Sequence, residues 1–212
     1  MELAARYSSD VAFTPSVKAQ QRSKGSRQLY ERMEQAGSWK TVITADLKQF
    51  IESQTSFFFA TANGSGQPYI QHRGGPAGFL RVLDEKTLGF ADFAGNRQYI
   101  SIGNLSDNPK VHLFLIDYAT RNRVKIWGEA RVVEDDAELT SRLKPRNYVA
   151  RAERSILITV TAWDANCPQH IPQRLEAKDV AAALAERDER IAILEAELLR
   201  LRGAEGPKIQ PR

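Results

Sequence analysis

Short apolar segments rich in aromatic and β-branched residues, separated by brief polar turns, fill the centre of this 212-residue chain. Residues 56–62 read Ser-Phe-Phe-Phe-Ala-Thr-Ala, the turn Asn-Gly-Ser-Gly follows, and residues 68–72 form the returning segment. Pairs of this kind are typical of β-hairpins. We count about six strands between residues 56 and 165, with short connections and few helices. The pattern predicts a mainly β fold of the α+β type, an antiparallel barrel with helices packed outside it.

The first 40 residues differ from this β-rich region and form an N-terminal arm. We expect a helix from Ser16, a good N-cap, to about Gln35, with a break at Gly25. Apolar residues are sparse along it, which predicts a helix on the surface. Thr44 is a good N-cap for a second helix with one apolar face.

The other end of the chain, residues 171–202, has the pattern of a long amphipathic helix. Leu184, Ile191 and Leu198 recur every seven residues, and a second apolar series follows three positions later. This is coiled-coil spacing, but it extends over few heptads. Two alternatives therefore stay open: the helix packs on its own barrel or on a second subunit. Residues 203–212, interrupted by Gly and Pro, are expected to be a flexible tail.

Composition argues against a nucleic-acid-binding protein and against a membrane-spanning one. The net charge is +4, and the excess of basic residues lies mostly in the arm. These basic residues are too widely spaced to form a nucleic-acid-binding stripe. No apolar run has the length of a membrane span, so no membrane partner is predicted. Cys167 is the single cysteine, so no intramolecular disulfide can form, and a cytoplasmic location is expected.

Two arginines stand beside small residues where predicted strands end. Arg73 is followed by Gly74, and Arg97 comes after Gly95 at the start of a predicted short helix, residues 97–105. A guanidinium matches the geometry of phosphate, glycine lets backbone N–H groups approach an anion, and a helix N-terminus favours negative charge. Two surface ion pairs are the alternative. If both arginines converge on one phosphate, the many apolar neighbours suit a phosphate that carries an aromatic ring. This favours flavin mononucleotide (FMN).

Residues 163–172 place polar side chains in a loop whose path two prolines restrict. Rigidly held polar side chains are typical of ligand recognition. Cys167 and His170 have the spacing of a zinc pair or of a nucleophile and its base, but Pro168 lies between them and few other histidines exist. We predict no metal. Trp127 and Trp163 either pack in the core or stack on a planar ligand.

The order of these motifs resembles the pyridoxamine 5'-phosphate oxidase-like family, which has an FMN-binding split barrel. Residues 66–73 resemble the strand that enters the first phosphate-binding arginine of the family, and residues 90–97 resemble the segment ending at its second basic contact. Residues 108–111 resemble the Asn-Pro turn before a barrel strand, and residues 123–130 resemble the strand near the flavin. The resemblance covers about residues 40–165.

The resemblance implies a six-stranded antiparallel split β-barrel over residues 41–170, flanked by helices and followed by the C-terminal helix. It also implies a homodimer with FMN at the subunit interface, where the loop of residues 163–170 reaches the flavin of the partner. The sequence departs from the true oxidase at residues 71–76 and 166–172, so oxidation of vitamin B6 is not implied. The closer likeness is to a branch of predicted flavin-nucleotide-binding proteins.

We therefore predict an FMN-dependent oxidoreductase that acts on an unknown small-molecule substrate or reductant. The alternatives are a non-catalytic flavin, deazaflavin or haem sensor or carrier, and an interaction protein that uses the arm and the heptad helix. No catalytic acid or base is assigned. The predicted cofactor-binding residues are Gln71, His72, Arg73, Gly74, Asn96, Arg97, Gln98, Trp127, Asn166, Cys167, Gln169 and His170.

Overall fold

The computed structural model describes residues 6–166 and 168–204, and an antiparallel sheet of seven strands is its main element. The strands are β1 (Ser56–Ala62), β2 (Pro68–Gly74), β3 (Arg81–Val82), β4 (Thr87–Phe93), β5 (Lys110–Asp117), β6 (Asn122–Val133) and β7 (Ala152–Asn166). Their order across the sheet is β2-β1-β5-β6-β7-β4-β3. The α+β class is confirmed, but the count of six strands is wrong. The shortest strand, β3, is only two residues long and pairs with Leu88 and Gly89 of β4.

The sheet curls until strands far apart in this order face each other. The ring of Phe90 in β4 lies 5.4 Å from that of Phe57 and 5.9 Å from that of Phe59, both in β1. The edge strand β2 reaches β4 through an ion pair between Arg73 and Asp92. Among the described residues, β2 and β3 each form backbone pairs with one strand only. The barrel is therefore split, with side chains bridging the opening.

The inner face of the sheet forms the core because side chains alternate along each strand. In β1 the pattern is regular: Phe57 and Phe59 are almost fully buried, whereas Phe58 between them is only half-buried. Leu47 and Ile51 of a flanking helix join the same cluster. Burial of each large apolar side chain stabilises the fold by about 1.5–3 kcal/mol.

The described ranges contain six α-helices and one short 3-10 helix (Ser8–Val11). The α-helices are α1 (Pro15–Ser23), α2 (Arg27–Gln35), α3 (Ala45–Ser53), α4 (Ile100–Asp107), α5 (Ala137–Leu143) and α6 (Ala177–Ala204). No helix in these ranges is both long and apolar enough to cross a membrane.

The helix expected from Ser16 to about Gln35 is divided into α1 and α2. The expected break is confirmed, since Gly25 has a φ of 77°, a conformation that disfavours other residues. The expected cap is wrong: Thr14, not Ser16, accepts the N–H of Val17 at 3.3 Å. Thr44 does cap α3 and accepts the N–H of Leu47.

Aromatic contacts attach the arm to the outer face of the sheet. Phe13 lies 5.1 Å from the rings of both Tyr30 and Trp39, and Trp39 stacks on Trp127 of β6 at 4.6 Å. Stacked and edge-to-face rings stabilise such contacts beyond the area they bury. The arm therefore covers the face of β6 that carries Trp127.

The chain divides into two units. The first holds the residues up to Asp117 together with Asn122–Gln169, and the second holds Tyr118–Arg121 together with the residues from His170 onward. Within the second unit, the N–H of Arg174 donates to the carbonyl of Tyr118, and its guanidinium lies 4.5 Å from the Tyr118 ring. The helix predicted for residues 171–202 begins later, at Ala177.

Candidate functional site

One cavity of the first unit, of about 220 Å³, lies where β2 and β4 end and α4 begins. Its walls contain both arginines that the sequence singled out, so we call it the arginine cavity. Its lining residues are Tyr69, Gln71, Arg73, Asp92, Phe93, Gly95, Asn96, Arg97, Gln98, Tyr99, Ile100, Ser101, Ile102 and Glu153. Five of the twelve predicted cofactor-binding residues are among them.

Arg73 reaches the cavity because of the two-residue period of β2. Tyr69, Gln71 and Arg73 share the face that lines the cavity, and the intervening residues point to the other face. The Arg73 guanidinium pairs with Asp92 and lies 5.7 Å from the centre of the Phe90 ring. Its Nε is buried and has no hydrogen-bond partner among the described residues. Arg73 is thus held in one orientation while part of its donor capacity is unused.

Asp92 fixes this orientation through a network of buried charges. One carboxylate oxygen contacts Arg73, and the other lies 3.7 Å from the Nε of Arg154. Arg154 also pairs with Glu134 at 2.8 Å and with Glu153 at 3.1 Å. Because a buried charge is costly unless it is paired, these residues are strongly coupled to one another.

Sequence reasoning missed Asp92, although a signal was present. In the sequence, Asp92 is the one charged residue in the apolar run of residues 88–93, which forms most of β4. An acidic residue is seldom fully buried unless it has a partner. Its position therefore pointed to a basic residue brought from elsewhere in the chain.

Arg97 enters the cavity from the loop that joins β4 to α4. It is exposed, and no ion pair involves it within the described residues. The prediction that a helix begins at residue 97 is wrong, because Arg97 and Tyr99 have φ angles of 61° and 52°, outside the helical range. The helix α4 begins at Ile100. Asn96 braces the loop by accepting the N–H of Gln98 at 3.2 Å.

The N-terminus of α4 adds backbone donors to the cavity. No side chain caps it, and its first turn has no acidic residue. The first N–H groups of a helix lack partners inside the helix and favour an anion nearby. The hydroxyl of Ser101 in this turn donates to the side-chain oxygen of Gln71 at 3.1 Å, which connects the turn to β2. The cavity thus combines two guanidinium groups with an uncapped helix N-terminus, the donor set that suits a phosphate group.

His72, Gly74 and Gln169, which were also predicted to bind the cofactor, do not line this cavity. His72 is exposed on the opposite face of β2 from Arg73, and its ring lies 5.8 Å from that of Phe58. Gly74 ends β2 outside the cavity walls, and a Cβ there would lie 3.1 Å from the His72 ring. Gln169 is exposed and does not line the cavity. The geometry of this cavity gives no support to a cofactor contact by these residues, which stays a prediction.

The remaining loop residues are described only in part. The backbone of Asn166 pairs with Arg123 at the end of β7, and Cys167 lies outside the described residues. His170 belongs to the second unit and is exposed, with a φ of 64°. Their proposed contact with a cofactor stays a prediction. No three His, Cys, Asp or Glu side chains within residues 6–166 and 168–204 are grouped as metal ligands would be.

Trp127 lines a second, larger groove rather than the arginine cavity. This groove, of about 1350 Å³, lies between the arm and strands β1, β5 and β6. There Trp127 is stacked on Trp39, and His112 meets it edge-on at 4.7 Å. Gly128 follows at a bulge, where a Cβ would lie only 2.5 Å from the carbonyl oxygen of Thr159. Glycine is therefore required there by the close approach of β7.

His112 should make stability depend on pH. Burial, and to a lesser degree the positive charge of Lys125, lowers the pKa of His112. The unfolded chain then binds a proton more readily, so His112 contributes stability above its unfolded pKa of about 6.5 that is lost as pH falls through the lower folded pKa. We expect His112→Gln to flatten the pH dependence of the unfolding free energy as pH falls below about 6.5 in urea titrations. An unchanged slope would contradict this assignment.

The sequence of this chain matches the model of one known protein family. A sequence model described as pyridoxamine 5'-phosphate oxidase matches residues 43–167, which is 125 of 212 residues. No curated protein matches the chain. The match spans all seven strands, and both cavity arginines lie within it.

Solved structures with a similar backbone include HupZ of Group A Streptococcus, at 22% identity and a TM-score of 0.48, covering 63% of this chain and 99% of that one. An FMN-binding protein from Syntrophomonas wolfei aligns at 12% identity and a TM-score of 0.47, covering 69% and 97%. HutZ, the heme storage protein from Vibrio cholerae, aligns at 15% identity and a TM-score of 0.38, covering 56% and 88%.

Proposed function

Since the chain belongs to the pyridoxamine 5'-phosphate oxidase family, we propose that it is an FMN-binding oxidoreductase whose arginine cavity holds the phosphate of the cofactor. The observation that carries this proposal is the convergence of Arg73 and Arg97 on one cavity, although 24 positions separate them in the sequence (97 − 73). The split-barrel fold alone does not specify the cofactor, since function depends on the site and not on the fold.

The donor set fits a phosphate monoester. Arg73 is oriented by Asp92 and keeps a buried Nε without a hydrogen-bond partner in the described part of the chain. Arg97 brings a charge that no described carboxylate pairs, and the uncapped α4 adds backbone N–H groups. Asp92 and Glu153 are acidic neighbours, but each is paired with an arginine. The positive charge of Arg97 therefore remains for an anion.

The arginine cavity is too small to enclose a whole FMN molecule, so the flavin ring would lie outside it. Pockets that enclose a drug-sized ligand measure about 300–1,000 Å³. The arginine cavity, at about 220 Å³, is smaller and accommodates the phosphate end of FMN only. We therefore also propose a homodimer in which a second subunit provides the surface for the flavin ring. The loop that holds Gln169 and His170 is the candidate for that contact.

When bound, FMN supplies electron transfer at its N5 position, and the protein supplies binding and orientation. Here Arg73 and Arg97 would hold the phosphate, Ser101 would fix Gln71, and Asn96 with Gln98 would keep the loop in shape. The substrate is a small molecule or reductant that reaches the ring. The described residues of the cavity include no paired nucleophile and base, so the proposal assigns none of them a role in proton transfer.

A comparison of FMN with riboflavin tests the phosphate assignment. Quenching of flavin fluorescence in a titration gives both dissociation constants. We expect FMN to bind at least tenfold more tightly, because a charge-assisted hydrogen bond contributes about 1.5–3 kcal/mol. Inorganic phosphate should compete with FMN and leave riboflavin binding unaffected. Equal affinities for the two flavins would refute the assignment.

A second measurement separates an enzyme from a carrier. The purified protein, loaded with FMN, is mixed anaerobically with NADH or NADPH, and loss of flavin absorbance is followed by stopped flow. Reduction much faster than that of free FMN supports an oxidoreductase. Tight FMN binding without accelerated reduction by either nucleotide supports a non-catalytic flavin protein. A haem absorption band in the purified protein in place of flavin bands would overturn the choice of cofactor.

A further inference from the structure

Helix α6 carries a stripe of large apolar side chains at coiled-coil spacing. All of its described side chains, from Ala177 to Arg202, are exposed. The members of the stripe are three or four residues apart, except for a gap of seven between Leu184 and Ile191, as the a and d positions of a coiled coil would be with one d position charged. Its apolar members, each between 40% and 52% exposed, are Val180, Leu184, Ile191, Leu194, Leu198 and Leu201.

An apolar stripe of this kind stabilises a helix only when it packs against another surface. Most of the stability of a protein helix comes from packing of its apolar face rather than from helix propensity. The stripe runs from Val180 to Leu201, about 33 Å at 1.5 Å per residue, and so covers three heptads. Two apolar residues outside the stripe, Ile193 and Leu199, are also exposed and offer matched control positions for substitutions on it.

The charges that flank the stripe indicate what the partner is. With Leu184, Ile191 and Leu198 at a positions, Arg190 and Glu197 occupy g positions. In a parallel coiled coil, a g residue faces the e residue five positions later on the other helix. Those residues are Glu195 and Arg202, so each g residue of α6 would face the opposite charge on a second α6.

The one charged residue on the stripe fits the same arrangement. Arg187 occupies the d position between Val180 and Leu194. In a parallel pair, a d side chain packs beside the d and e positions of the facing helix, which here are Arg187, a like-charge contact, and Asp188, an opposite charge. A long arginine stem can cover apolar surface while its head reaches a carboxylate at the edge. A polar residue inside such a seam also favours one register over the alternatives.

We propose that α6 pairs with α6 of a second copy of this chain as a parallel, in-register, two-stranded coiled coil. The charge complementarity of positions 190 with 195 and of 197 with 202 selects an identical helix as the partner. This interaction surface lies wholly in the second unit and does not use the arginine cavity. The pairing is therefore testable on the chain without FMN.

Disulfide cross-linking of the full-length chain tests the pairing. In a Cys167→Ser background, Leu201→Cys places a thiol on the stripe, and Leu199→Cys places one at an exposed position off it. In a parallel pair the two thiols at position 201 face each other within disulfide range. We expect mild oxidation to convert most of the Leu201→Cys chains, and few of the Leu199→Cys chains, to covalent dimers on a non-reducing gel.

Each other outcome overturns the proposal. Equal cross-linking of both variants means that the contact does not follow the stripe. No cross-linking of either means that α6 helices do not meet, for instance because the helix packs on its own barrel. Cross-linking of Leu201→Cys with Leu184→Cys, but not with itself, means that the helices run antiparallel. The measurement is made on the chain without FMN, so its outcome does not depend on cofactor binding.

Charge reversal tests the register. In the Leu201→Cys chain, Arg190→Glu sets Glu against Glu195 in both copies, and we expect the cross-linked fraction at equilibrium in a thiol buffer to fall about two- to fivefold per pair. Adding Glu195→Arg should restore it. Ile191→Lys should abolish cross-linking, whereas Ile193→Lys, off the stripe, should not. A fraction unaffected by Arg190→Glu would overturn the parallel register.

Discussion

Replacing Arg73 by Ala is expected to weaken FMN binding by about 10- to 150-fold, the equivalent of about 1.5–3 kcal/mol. The variant removes one of the two guanidinium groups that converge on the arginine cavity. Affinity for riboflavin should stay at the wild-type value, since riboflavin lacks the phosphate. Arg97→Ala should have a similar effect on FMN alone, and the double variant should bind FMN no better than riboflavin.

Two controls make this result interpretable. Arg73→Ala also leaves Asp92 with Arg154 as its remaining basic partner, so the unfolding free energy of the variant must be measured alongside its affinity. Arg97 has no ion pair among the described residues, so Arg97→Ala should affect affinity without affecting stability. Arg131→Ala, on an exposed part of β6, is the matched arginine control. Wild-type affinity for FMN in both Arg73→Ala and Arg97→Ala would remove the basis of the proposed function.

Truncation of Phe57 to Ala should produce the largest loss of stability, about 3–5 kcal/mol in the unfolding free energy. The Phe57 ring is 1% exposed and lies 5.6 Å from Phe79 and 5.4 Å from Phe90. It thus connects β1 to β4 across the interior of the split barrel. The substitution would leave a cavity lined by aromatic rings. These rings could not move in to fill it, because the pairing of their strands holds the backbone in place. Urea denaturation of wild type and variant measures the loss.

The neighbouring Phe58 provides the matched control. It belongs to the same strand and has the same side chain, but it is half-buried on the opposite face, near Phe114 and His72. Phe58→Ala should therefore cost much less than Phe57→Ala. Equal losses would mean that the inner face of β1 is not the side on which the core forms.

Local sequence patterns were sufficient for the elements of the fold. The turn after β1 and the alternation along it predicted the first hairpin, and residues 56–74 form it in the structure. Thr44 and Gly25 were interpreted correctly because a helix cap and a left-handed turn depend on residues adjacent in sequence. The start of α4 was misplaced, since nothing local shows that Arg97 and Tyr99 adopt positive φ angles. The count of six strands was one too few.

The two arginines of the candidate site could be predicted from the sequence, whereas the residues that contact them could not. Arg73 and Arg97 were identified because arginine beside glycine at a strand end has a chemical interpretation on its own. Asp92, Glu153 and Tyr99 were missed, because their role comes from contacts between segments far apart in the chain. Trp127 stacks on a tryptophan of the arm, and its contact with a planar ligand stays a prediction.

The sequence by itself determined the period of each strand, the caps and breaks of the helices, the positions of the two arginines and the heptad stripe of α6. These features depend on residues within a few positions of one another, where sterics and local hydrogen bonds act. Only the tertiary structure decided that β1 faces β4, that Asp92 orients Arg73, and that Trp127 lies against the arm. Those contacts join residues many positions apart, and curling of the sheet must bring them together before any local chemistry can act between them.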